Sequence, residues 1–261
     1  MTDIDVLEKQ FSRLLTLDKD NCSKESKDDE IKKNNLKEPV KEAKKEPLKE
    51  DIKEPKKEPI KEECLDKYTP DILRIRYKMY RDNYVETMRI IKENDLPIRH
   101  QNPPEDVTEN IVKFIINNYD NDPTCKWAKS IKHKSVKITG DLYSEKYPID
   151  SPPEVKAFTS DGPSSFGPKK KFGVIYFLDM REWLNDNFIL WKLNLSNDSS
   201  EWKDIKMNKT QKYEEQCKEG RRPHISWDNI YSQMPDKCIK VYSGKFEDIF
   251  TQPVMKSADS Q

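Results

Sequence analysis

The chain has 261 residues, 48 basic and 48 acidic side chains that cancel, 34% hydrophobic residues and 37% charged ones. So low an apolar content excludes one uniform core along the whole length. Zero net charge excludes bulk attraction to nucleic acid, so any such binding must rest on a local basic surface.

The apolar deficit is concentrated at the start. Residues 1–70 carry 17 Lys/Arg and 19 Asp/Glu, and only Phe11 and Tyr68 are aromatic there. The remaining 191 residues hold 23 of the 25 aromatics, enough for a full core. The expected organisation is a low-complexity tail, 1–66, followed by one domain, 67–261. In the tail, Ile4, Leu7, Phe11, Leu14 and Leu15 share one face of a short amphipathic helix. Lys-Glu-Pro then recurs at 37–39, 45–47, 53–55 and 57–59. Proline this frequent breaks a helix, which predicts an extended, disordered, charged linker.

No apolar run approaches a membrane span, and the acidic start Met1-Thr2-Asp3-Ile4-Asp5 is unlike a signal peptide. The five cysteines and three histidines are scattered without a CxxC pair. Together these features lead us to expect no membrane association and a reducing, cytoplasmic location, or the host-cell interior for a virus-encoded chain.

The domain opens with Thr69-Pro70, an N-cap and a first-position proline. Apolar residues from Ile72 to Ile91 continue a helical pattern to about Asn94. A second helix starts near Pro104-Glu105-Asp106, with Val107, Ile111, Val112, Phe114, Ile115 and Tyr119 on its apolar face. Past Pro123 the pattern turns to strand: 134–143, 153–159, the nearly continuous apolar run 172–180, and 188–195, with a short helix before the last. The expected fold is α/β, a mixed central sheet flanked by helices.

Candidate chemistry lies on the first two strands. Glu154 and Lys156 are two residues apart and project from one strand face. Asp141 ends the preceding strand, and a hairpin would bring it beside them. Two carboxylates and the Val155 carbonyl offer hard oxygen ligands suited to Mg²⁺. A metal there would polarise a phosphodiester and lower the pKa of a water. Lys156 would orient that water or stabilise charge on the phosphate.

The blocks Ile138-Thr139-Gly140-Asp141 and Pro153-Glu154-Val155-Lys156 resemble the PD-(D/E)xK nuclease signature, with Gly140 where proline is usual. The element order over residues 70–250 is similar to the core of type II restriction endonucleases. The resemblance implies that Asp141 and Glu154 hold Mg²⁺ and that Lys156 is the catalytic lysine. Members of this superfamily often add a glutamate from a helix. Glu109 is the candidate here, with Glu105 and Glu86 as competitors.

Two segments suit a DNA surface. Residues 159–171 combine Ser160, Ser164 and Ser165 with glycine and proline turns and end in Lys169, Lys170 and Lys171. Hydroxyls, backbone amides and lysines are common phosphate partners. Within residues 211–225 a helix is expected to end near Gly220, exposing Arg221 and Arg222, with His224 beside them. Arginines read guanine edges or bind phosphate. No Walker, GxGxxG or GxSxG motif occurs, which disfavours a motor, a dinucleotide enzyme and a serine hydrolase. The expectation is a Mg²⁺-dependent double-stranded DNA endonuclease of the type II site-specific class. It would act as a homodimer and be paired with a protecting DNA methyltransferase. A structure-selective repair nuclease of the same fold and a noncatalytic DNA-binding adaptor are the alternatives.

Overall fold

The structure, a computed structural model, describes residues 68–97, 102–130 and 140–251. The tail helix, the Lys-Glu-Pro repeat, and Ile138 and Thr139 of the signature lie outside the described residues. All described elements belong to one unit, residues 57–261.

Helix α1, Pro70–Glu93, begins as its local chemistry dictates. The Thr69 hydroxyl accepts the Ile72 N–H at 3.3 Å, Pro70 sits in the first turn, and Asp71 complements the helix dipole. The helix stops at Asn94, whose N–H reaches back to the Ile90 carbonyl. Helix α2, Glu105–Tyr119, starts after Pro104 with two acidic residues and buries Val107, Ile111, Val112, Ile115 and Ile116. None of the described helices is long and apolar enough to cross a membrane.

A four-stranded mixed sheet forms the centre. It consists of β3 (Pro153–Phe158), β5 (Val174–Asp179), β6 (Phe188–Leu193) and β8 (Cys238–Gly244), in the order β3-β5-β6-β8. β3 and β5 run parallel, and the other two pairs are antiparallel. Every residue of β5 is buried, which accounts for its continuous apolar sequence. Alternation along β5 splits the core in two. Val174, Tyr176 and Leu178 pack under α1 and α2 with Leu73, Ile111 and Phe188. Ile175 and Phe177 face the opposite layer, which holds α3 (Ser200–Lys203), α4 (Tyr213–Lys218) and α5 (Trp227–Gln233). Trp202, Tyr213, Trp227 and Ile230 fill that second core, each contributing about 2–3 kcal/mol by burial.

Two expectations are corrected. Residues 134–139 of the predicted strand 134–143 lie outside the described residues; within the rest, β2 is Leu142–Tyr143 and Asp141 lies just before it. β2 pairs antiparallel with β1, Lys126–Trp127, so it forms no hairpin with β3. The short helix before β6 is a single 3₁₀ turn, Trp183–Asn185.

Candidate active site

The fold brings Asp141, Glu154 and Lys156 together by a route other than a hairpin. Among the described residues β3 is an edge strand, so alternate backbone groups on its outer side have no strand partner there. The Asp141 carboxylate takes one of them: Oδ2 accepts the Val155 N–H at 2.9 Å. Within a strand a residue's N–H and C=O point the same way, so the Val155 carbonyl also faces Asp141. Gly140 makes the approach possible. Its φ is +120°, and a Cβ there would stand 2.4 Å from Pro152 Cγ, immediately before β3. Proline, fixed near −65°, cannot adopt this conformation, which explains the departure from the usual signature.

In register, Glu154 lies opposite Ile175 and Lys156 opposite Phe177. Both therefore project from the sheet face that carries the second core. The Glu154 side chain is only 2% exposed. Neither of its oxygens receives a well-aligned hydrogen bond; their partners are cations. Lys156 Nζ lies 2.6 Å from Oε1, and Lys170 Nζ lies 2.5 Å from Oε2. Lys170 Nζ also stands 3.2 Å from Asp141 Oδ1. Burial and the neighbouring Asp141 charge push the Glu154 carboxyl above the usual range, against the pull of both lysines. For Lys170, burial disfavours the charge, but Glu154 and Asp141 outweigh it and raise its pKa.

Glu109 approaches from α2. It is buried, accepts Trp127 Nε1–H at 2.5 Å, and lies 3.1 Å from Lys129 Nζ. Burial and the Asp141 charge raise its pKa to about 7, while Trp127 and Lys129 oppose the rise. Its two competitors are exposed: Glu105 pairs with Lys129, and Glu86 pairs with Arg89 on the surface of α1. Asp141 thus stands in the field of two carboxylates, Glu109 and Glu154.

Among the described residues no three His, Cys, Asp or Glu side chains converge as a metal cluster. The oxygens that could hold a divalent cation are those of two carboxylates, Asp141 and Glu154, with the Val155 carbonyl. Their chemistry fits one. A buried carboxylate without hydrogen-bond donors is stabilised by cations, and carboxylate and carbonyl oxygens suit Mg²⁺.

The two segments expected on a DNA surface are joined. Ser164–Ser165 form β4, paired antiparallel with β7, His224–Ile225. The Phe166 N–H donates to the Pro223 carbonyl at 3.0 Å, extending the pair. Ser160, Lys169, Arg221, Arg222 and His224 are exposed, and Ser164 and Ser165 are half-buried. Arg221 pairs with Glu219 at 2.7 Å and donates to Gln211 Oε1 at 2.6 Å. Lys170 is not on that outer surface; it turns inward to the carboxylates, while Lys169 and Lys171 stay outside. Sequence reasoning missed Lys129 and the inward role of Lys170. It also missed Arg181, which ties Asp161 in the loop to Asp179 of β5 and Asp228 of α5.

The chain matches the family model for the Bsp6I restriction endonuclease over residues 71–233, more than half its length. No curated protein and no solved structure matches it.

Proposed function

The chain belongs to the Bsp6I restriction endonuclease family, and we propose that it is a type II enzyme that cuts double-stranded DNA at the site on β3. The observation that carries this reading is the convergence of Asp141, Glu154 and Lys156 at the β3 edge of the sheet. Asp141, Glu154 and the Val155 carbonyl would hold Mg²⁺, which supplies phosphodiester polarisation and a water of lowered pKa.

The chain's own residues do the rest. The Val155 N–H fixes one Asp141 oxygen, so the carboxylate is oriented before a ligand arrives. Lys156, largely buried, carries its ammonium beside Glu154 and over the Phe166 ring at 5.3 Å. There it orients the attacking water and stabilises the negative charge that develops on the phosphate. Glu109 is the helix-borne acid of the site and interacts electrostatically with Asp141. Hydrolysis in line leaves 5′-phosphate and 3′-hydroxyl ends. The β4–β7 ribbon, with Ser164, Ser165 and His224, presents Ser160, Lys169, Arg221 and Arg222 to the duplex. Cutting both strands symmetrically needs two such sites, so the working form is a homodimer, protected in its host by a cognate methyltransferase.

Plasmid digestion with Mg²⁺ tests the reading. Discrete bands are expected. A smear, cutting of branched DNA alone, or no cleavage would each refute the site-specific assignment.

A further inference from the structure

Two lysines flank Glu154, and they are not equivalent. Of the two carboxylates Lys156 pairs with Glu154 alone, and its side chain is 18% exposed. Lys170 touches both Glu154 and Asp141, comes from the loop that carries β4, and is 36% exposed. It therefore bridges the two oxygens a cation would need and has a path to solvent.

The charge count separates their roles. Two carboxylates and two ammoniums cancel in this cluster, and the neighbouring Glu109 has its own cation in Lys129. Adding a divalent cation would leave a largely buried site doubly positive, which is costly in low dielectric. Expelling one ammonium leaves a single positive charge, which one phosphodiester neutralises. Lys170 is the one to leave, because it shares both metal-ligand carboxylates and is the more exposed.

We propose that Lys170 is an exchangeable internal counter-ion: a divalent cation on Asp141 and Glu154 displaces its ammonium, which turns outward to the DNA phosphate beside β4. This rests on the assignment of Asp141 and Glu154 as metal ligands. Lys170 is then a positioning residue that couples metal binding to DNA binding. The coupling is reciprocal, as linkage requires.

The test is Mg²⁺ binding to the full chain by calorimetry, without DNA. Lys170→Met keeps an unbranched stem about one atom shorter and removes the charge. It should bind Mg²⁺ roughly tenfold more tightly than the unsubstituted chain, a usual size for coupling between sites. Glu154→Gln should bind it poorly. If Glu154→Gln binds like the unsubstituted chain, the metal-site assignment itself fails. If Glu154→Gln loses Mg²⁺ but Lys170→Met binds no more tightly, the assignment stands and the counter-ion proposal is overturned. Because Lys170→Met leaves Glu154 short of a cation and can impair folding, the unsubstituted chain supplies a second readout. Acetic anhydride labelling followed by mass spectrometry should modify Lys170 faster when Mg²⁺ is present, with Lys156 remaining protected. Labelling of Lys170 that does not respond to Mg²⁺ refutes the proposal.

Discussion

Replacing Glu109 by glutamine should stabilise the protein above neutral pH and leave it unchanged in acid. Glu109 is 5% exposed, and burial with the Asp141 charge raises its pKa from 4.5 to about 7. Between those values the folded carboxyl holds a proton that the unfolded one has lost. The native state therefore binds more protons, and stability falls as pH rises through that window. Above about pH 7 the full penalty applies. At ~1.4 kcal/mol for each tenfold change, it amounts to about 3 kcal/mol. Glutamine carries no charge and still accepts the Trp127 N–H, while Lys129 keeps Glu105 at 2.9 Å. In urea unfolding with EDTA present, the variant should therefore gain about 3 kcal/mol at pH 8, and nearly nothing below pH 4.5. A difference that does not change with pH, or a variant less stable at pH 8, would refute the electrostatic reasoning.

Two further outcomes follow from the geometry. Gly140→Ala forces a side chain into a positive φ and against Pro152. It should lower stability by about 1–3 kcal/mol and impair cleavage by displacing Asp141; unfolding curves and single-turnover rates check both. Arg221→Ala with Arg222→Ala should weaken DNA binding without unfolding the chain. A phosphate role would flatten the salt dependence, by about 0.9 in log–log slope for each phosphate no longer neutralised, whereas a base role would relax sequence choice. Unchanged affinity and specificity in filter-binding titrations would remove both arginines from the interface.

Elements with strong local chemistry are legible in the sequence. Thr69 and Pro70 mark the start of α1, and the buried run of β5 marks the centre of the sheet. Glu154 and Lys156 can be placed on one strand face because strand side chains alternate. The partner of that strand cannot. A gap of twelve residues between Asp141 and Glu154 suits a hairpin, yet Asp141 instead reaches β3 through its side chain. β8 is hidden in the sequence because it is an edge strand with Ile239 and Lys240 exposed, so its apolar pattern is diluted. β4 and β7 are too short to carry a period at all. The lysines at 169, 170 and 171 are indistinguishable as letters, and only the turn closed by the Lys170 N–H on the Gly167 carbonyl sets which one points inward.

Lys156 is the one member of the cluster proposed for catalysis and not for holding metal. In Lys156→Ala both carboxylates and Lys170 remain, so the fold and Mg²⁺ binding should persist. The decisive measurement is the single-turnover rate of plasmid cleavage by this folded variant in saturating Mg²⁺. The predicted result is a loss of about 100-fold or more, the usual effect of removing a group that stabilises transition-state charge. Cleavage near the unsubstituted rate would remove Lys156 from the active site and contradict the account.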